Sequence, residues 1–237
     1  MMTSSELLIG GVLPYLAGFG FLAGLGYRLV IWRRAPPPPP MTLYPTLGSG
    51  PMGLVKQALF FPGLYRSDRV LWFLSWTFHA FLALALLGHL RVATGLIDRL
   101  LASLGIGSSG MAAFSAAAGS LAGIVLLATV AILLARRLVV ARVREISGIP
   151  DFFALLLLLA VVVSGDLMRV GGQPIDLIQT RAWAVSLLSF SPVVPSHPAF
   201  LLHVFCAEVL ILYMAFSKLM HFGGIFFTLA LVNKSVP

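Results

Sequence analysis

Four histidines lie inside two apolar stretches of the chain, His79 and His89 in one and His203 and His221 in the last. Histidine is costly in lipid and needs a partner there. A neutral imidazole is also a ready metal ligand through either ring nitrogen. Two pairs on two membrane helices therefore point to two shared ligands, and haem, which takes two axial imidazoles, makes the fullest use of such an arrangement. Bis-histidine ligation leaves no open position at the iron, so the chemistry it implies is electron transfer across a membrane rather than substrate chemistry at the metal. The same residues admit two other readings. One is a transporter or channel that uses the histidines for metal or protons. The other is a membrane anchor in which they are polar glue between helices.

The elements that position them are apolar helices. The chain has 237 residues, of which 59% are hydrophobic and 10% charged. A soluble domain carries about 25% charged residues. A helical span needs about 20 apolar residues, and five such runs are predicted, near 7–32, 70–94, 111–135, 152–170 and 199–222. The expected fold is an all-α, five-helix membrane bundle forming one domain over 1–237. Gly20 and Gly24, and again Gly119 and Gly123, have the four-residue spacing that lets helices approach closely. The proline run at 36–40 cannot be helical. A short surface helix is expected near 52–61, a short loop around Asp98, a basic connection from Arg136 to Arg144, and a long loop at 171–198 whose 175–190 portion lies along the interface. The apolar tail at 225–232 is too short to span again.

Charge sets the orientation. The net charge is +8, but no basic groove interleaved with aromatics suggests a nucleic acid. Twelve of the 16 basic residues fall on the side of the Arg33–Arg69 loop, the Arg136–Arg144 connection and the C-terminus, and four, Arg91, Arg99, Arg169 and Arg181, on the other. The positive-inside bias puts the first group in the cytoplasm, so the N-terminus is expected outside and the C-terminus inside. Residues 1–6 contain no lysine or arginine, unlike a cleavable signal. Cys206 is the single cysteine. It allows no internal disulfide and no cysteine-ligated cluster held by this chain alone.

Depth then pairs the histidines. The second and fifth spans run in opposite directions, so His79 meets His221 near the cytoplasm and His89 meets His203 near the outside. A regular helix rises 1.5 Å per residue, which separates His79 from His89 by about 15 Å and His203 from His221 by about 27 Å along their axes. Helix tilt and side-chain reach would have to absorb that mismatch.

These residues resemble the gamma subunit of respiratory nitrate reductase, a five-span, di-haem cytochrome b that oxidises quinol. The resemblance covers residues 70 to 222. Its paired histidines match His79, His89, His203 and His221 in order and spacing. Arg136-Arg137-Leu138 through Arg142-Val143-Arg144 to Asp151 is similar to the family's connection between the third and fourth spans, and Phe216-Ser217-Lys218-Leu219-Met220-His221 to its fifth-span ending. Gly165-Asp166-Leu167-Met168-Arg169 is more similar to a related branch, the membrane cytochromes of sulfite-reduction-associated and heterodisulfide-reductase-like complexes. The proline run and long first loop depart from a plain nitrate reductase subunit.

The resemblance implies two b haems, an inner one between His79 and His221 and an outer one between His89 and His203. It implies a quinol, with menaquinol the expected type, oxidised near the outer haem. Electrons then go to an iron–sulfur subunit docked on the cytoplasmic face. The chain would be an electron-transfer subunit, not a complete enzyme, of a multi-pass respiratory complex in a prokaryotic cytoplasmic membrane. The same wire run backwards would reduce quinone. Asp166 and Arg169 are the candidate quinol-site residues, Asp166 as a proton acceptor, although a helical Asp166–Arg169 pair is the competing reading. Arg91 and Arg181 are candidates for binding the outer cofactor. Glu208 is either a proton-relay group or a paired structural residue. His197 is expected in a loop, with contact to a quinone or a haem propionate as the alternative. Trp72 and Trp76 are expected as belt and packing residues.

Overall fold

The computed structural model describes residues 2–36, 51–170 and 176–224; most of the proline run and the apolar tail at 225–232 lie outside them. Among the described residues every regular element is a helix. Five are long and apolar enough to cross a membrane: Ser4–Arg34, Arg69–Ala93, Ser108–Val139, Ile149–Arg169 and Pro198–Phe216. They are called the first to fifth spans below. All five occur where apolar runs were expected, with their ends moved.

The shifts have local causes. The third span continues to Val139, so Arg136 and Arg137 sit in its last turn and not in a loop. Cations there face the negative end of the helix dipole. Extended backbone at Val140 ends it, and the helix Ala141–Glu145 follows. The expected loop around Asp98 holds a helix, Leu96–Ser103. The helix Leu177–Leu188 occupies the predicted interfacial segment, started by Asp176, whose side chain accepts from the Ile178 N–H. A surface helix, Pro51–Phe60, stands where one was predicted.

The fifth span departs most. It stops at Phe216 rather than near 222. Ser217 is extended (φ −108°, ψ 178°), its hydroxyl accepts from the Leu219 N–H, and a 3₁₀ turn, Lys218–Met220, follows. Serine competes with the helix by bonding nearby backbone, and here it wins. His221 thus lies beyond a break, and the 27 Å estimate, which assumed one unbroken helix, does not apply.

The first span carries a π-helical turn at Leu8–Val12. Pro14 has no N–H to give the Gly10 carbonyl four residues earlier. A carbonyl freed in an apolar setting needs another donor, and the Trp183 indole supplies it at 2.7 Å. A side chain on Gly10 would collide with Val194, which explains glycine at this contact.

Packing divides the chain into two compact units. The first comprises Met1–Ala17 and Thr77–Leu210. Its apolar centre is Phe78, Leu126 and Val130 from the second and third spans, with Leu155 and Val162 of the fourth against them. The third and fourth spans also meet at glycines: a Cβ on Gly119 would run into the Arg169 guanidinium, and one on Gly123 into the Asp166 carboxylate. The expected close-approach pair is real, and what approaches is a pair of charged side chains.

The second unit comprises Gly18–Trp76 and Ile211–Pro237. Here Gly20 and Gly24 lie against Leu212, Ala215 and Phe216. Arg28 donates to the Phe216 carbonyl at 2.9 Å, satisfying one of the acceptors left open where the fifth span ends. The Trp72 and Trp76 indoles donate to the Phe60 and Leu59 carbonyls, at 2.7 and 3.0 Å, and so hold the end of the Pro51–Phe60 helix. They are packing residues with a defined hydrogen-bonding task.

Candidate functional site

His89 and His203, the pair expected on the outer side, are brought together within the first unit. The His89 and His203 rings have centroids 6.0 Å apart and planes 28° apart. A carbonyl can only accept, so any ring nitrogen bonded to one carries the proton. His89 Nδ1 donates to the Ala85 carbonyl one turn back, at 2.8 Å. His203 Nδ1 donates to the Val161 carbonyl of the fourth span, at 3.1 Å. Both residues therefore present Nε2 as the lone-pair nitrogen. This is the tautomer and anchoring that metal-ligating histidines use.

The spacing suits a shared metal. A metal–imidazole nitrogen bond is about 2 Å and the ring centre lies about 1.1 Å behind the nitrogen, so two opposed ligands on one iron have centroids about 6 Å apart. The observed pair matches that figure. Among the described residues no three of His, Cys, Asp and Glu gather as a metal-ion site. A pair of two nitrogens fits haem, which brings four ligands of its own. His89 is exposed and His203 half-buried, so the His89 flank offers a flat macrocycle a way in.

The fourth span shapes the other side of His203. A Cβ on Gly165 would sit 3.2 Å from His203 Cε1 and 3.4 Å from Nδ1, so glycine makes room for the ring. Ser164, buried to 2% exposure, places its hydroxyl 3.1 Å from His203 Nδ1. Sequence reasoning missed both roles. The available signal was a small polar pair, Ser164-Gly165, interrupting a run of leucine and valine.

The inner pair is described in pieces. His79 belongs to the first unit, where its ring meets Phe78 edge-on at 5.2 Å. His221 belongs to the second, and its Nδ1 donates to the Lys218 carbonyl at 3.2 Å, the same anchoring as in the outer pair.

The remaining candidates sort by their partners. Asp166 and Arg169 make no hydrogen bond to each other among the described residues, while their opposite charges, three residues apart on the fourth span, still interact. They rest on the Gly123 and Gly119 contacts, on the helix that carries Ser164 and Gly165. Arg91 and Arg181 are committed elsewhere. Arg91 Nε bonds Asp98 at 2.7 Å and Arg181 Nη2 bonds it at 3.0 Å, while Arg181 also donates to the Arg91 carbonyl. Together they tie the second span's end to the Leu177–Leu188 helix. His197 caps the fifth span: its Nδ1 accepts from the Phe200 N–H at 3.3 Å, with Pro198 as the first helical residue.

Two predictions arise here. Partial burial alone would raise the Asp98 carboxyl, but hydrogen bonds and charge from Arg181 and Arg91 outweigh it and hold the group below its ordinary value of 3.8. A lowered folded value means the clamp stabilises fully above that ordinary value and is lost as pH falls through the lowered one. Asp98→Asn is expected to cost about 1 kcal/mol at neutral pH, since the clamp is partly solvated. In thermal unfolding in detergent, the gap from wild type should close in strong acid.

Glu208 is buried at 7% exposure and neither carboxyl oxygen has a hydrogen-bond partner. The paired-residue reading finds no support among the described residues. An unpaired charge in such a place is costly. Glu208→Gln removes no bond, so its stability should stay within about 1 kcal/mol of wild type, whereas Glu208→Lys should fail to accumulate as folded protein. Size-exclusion profiles and melting curves of the two variants distinguish these outcomes.

The sequence pattern of the nitrate reductase gamma subunit family matches residues 63–234, a stretch that contains His79, His89, His203 and His221. The Hdr-like menaquinol oxidoreductase cytochrome b-like subunit of Archaeoglobus fulgidus is 28% identical over 268 aligned positions, covering 94% of this chain and 78% of the relative. The protein of the same description from Archaeoglobus profundus is 27% identical over 266 positions, covering 95% and 78%.

Proposed function

The chain belongs to the nitrate reductase gamma subunit family, and on that premise we propose that it is the di-haem cytochrome b subunit of a quinol-oxidising membrane complex. The observation that carries the reading is the His89–His203 pair, its ring centroids 6.0 Å apart, with both Nδ1 atoms tied to carbonyls and both Nε2 atoms left to ligate. His89 and His203 would hold an outer b haem, and His79 and His221 an inner one. Bound haem supplies one-electron transfer between the quinol on one side and a partner on the other.

The chain's own residues do the rest. The anchored Nδ1 protons fix ring orientation and raise the basicity of the ligating nitrogens. Apolar packing around Phe78, Leu126 and Val130 keeps water out of the bundle. Quinol oxidation releases two protons and two electrons. The Asp166 carboxylate would accept a proton at its oxygen, and Arg169 beside it would hold the quinol oxygen or a propionate. The relatives are named for menaquinol, and menaquinol is the quinol we assign. The orientation remains N-terminus outside and C-terminus in the cytoplasm of a prokaryotic cell, on the distribution of basic residues. With one cysteine, the chain needs an iron–sulfur partner on the cytoplasmic face to take the electrons onward.

The test uses membranes containing the chain. Adding a water-soluble menaquinol analogue should reduce its b-type absorbance within the mixing time of a stopped-flow experiment, and Asp166→Asn should slow that reduction at least tenfold while leaving haem content intact. Haem that dithionite reduces and the quinol does not would reject the quinol assignment.

A further inference from the structure

The contact between Ser164 and His203 has a consequence for the outer ligand, and it rests on the haem reading above. Two observations single it out. First, each group is already satisfied without the other. The Ser164 hydroxyl donates to the Val161 carbonyl of its own helix at 3.0 Å, and His203 Nδ1 donates to that same carbonyl at 3.1 Å. The Ser164–His203 bond, 3.1 Å, is a third contact that closes the triangle. Since Nδ1 carries the proton, Ser164 accepts from it. Second, the position is built for proximity. Ser164 is buried to 2% exposure, and the glycine beside it, Gly165, clears the space in which the ring lies. Alanine would fill the site equally well if packing were the only demand.

We infer that Ser164 is a positioning residue that sets the electron-donating strength of the His203 ligand, and through it the reduction potential of the outer haem alone. A second acceptor on Nδ1–H draws the proton further from the ring and makes Nε2 more basic. A more basic axial ligand favours the oxidised iron. His89 has one acceptor at Nδ1, the Ala85 carbonyl, so the two axial ligands of the same haem are held unequally. The asymmetry gives the fourth span, which also carries Asp166 and Arg169, a direct chemical connection to the ligand.

The experiment is a potentiometric titration of the purified haem-loaded chain, comparing wild type with Ser164→Ala and Ser164→Thr. Ser164→Ala should keep both haems and raise one midpoint potential by up to about a tenfold shift in the one-electron equilibrium, ~59 mV. Ser164→Thr, which retains the hydroxyl, should return it towards wild type. The other midpoint should not move. Two haems with unchanged or lowered potentials in Ser164→Ala would overturn the inference while leaving the di-haem reading intact. A shift in Ser164→Thr as large as in Ser164→Ala would also overturn it, because packing would then be the cause. A wild-type chain that binds no haem would overturn the haem reading itself.

Discussion

His203→Ala is expected to remove one of two haems, and His89→Ala to remove the same one. The two rings belong to one compact unit, have centroids 6.0 Å apart, and are locked by separate carbonyls in the same tautomer. With either ring removed, the site would offer haem only the other histidine, since no third His, Cys, Asp or Glu gathers with the pair among the described residues. The surviving histidine then holds the macrocycle by one bond, and loss of that haem should be essentially complete after detergent extraction. The other haem should stay, because its proposed ligands His79 and His221 are untouched. The two variants should therefore show superimposable reduced spectra at half the wild-type intensity. Different spectra would mean that His89 and His203 serve different haems, and the pairing would be wrong. His197→Ala should leave both haems, because that ring is a helix cap and not a ligand.

Gly24→Val is expected to destabilise the chain far more than Gly20→Ala. Both glycines face the end of the fifth span within the second unit. A Cβ on Gly20 would meet the tip of Leu212, a flexible side chain that can rotate away. A Cβ on Gly24 would lie 2.6 Å from the Ala215 methyl, which has no freedom to move except with its backbone, and 3.2 Å from the Phe216 ring. Ala215 is fully buried, so no lipid-facing gap exists to take the displaced atoms. Overpacking of a tight contact costs about 1–3 kcal/mol, and valine at Gly24 should sit at the upper end of that range. Gly20→Ala should cost under about 1 kcal/mol. Melting curves in a mild detergent measure the difference. The bonds that end the fifth span, Arg28 to the Phe216 carbonyl and Ser217 to Leu219, lie next to this contact. Gly24→Val should therefore also disturb the haem that depends on His221. Equal melting temperatures for the two variants would show that the helices separate without cost.

The five spans and the nearness of His89 to His203 were legible because each rests on a strong, long-range pattern. Twenty apolar residues in lipid have few alternatives to a helix. Antiparallel spans bring together histidines at equal depth, and His89 with His203 needed nothing more. The small-residue pairs Gly20–Gly24 and Gly119–Gly123 were legible as close approaches, but not their partners. Asp166 and Arg169 rest on the second pair, and a sequence pattern carries no record of what lies opposite a glycine.

What stayed hidden depends on single hydrogen bonds. Phe216-Ser217-Lys218 reads as unbroken helix, because serine is tolerated in one; the break is visible only once the hydroxyl is seen to cap Leu219. The Gly10 carbonyl freed by Pro14 was foreseeable from the proline, but its donor, Trp183, is 173 residues away in sequence. Arg91 and Arg181 looked like cofactor ligands because they are cations on the side with few of them. Their shared partner, Asp98, lay in a stretch read as loop. Ser164, with Gly165, interrupts an apolar run, but nothing in the sequence ties it to a histidine 39 residues on. A lone serine in a membrane helix most often bonds its own backbone, and this one does so as well as touching the histidine.

The central claim is that His79, His89, His203 and His221 hold haem, and the most direct measurement is haem stoichiometry. The chain, purified from cells with haem available, should contain two b haems per polypeptide by pyridine haemochrome assay and quantitative protein determination. Its dithionite-reduced spectrum should show b-type bands that Ala substitution at His89 or His203 halves identically. A colourless protein that is folded and monodisperse would contradict the account.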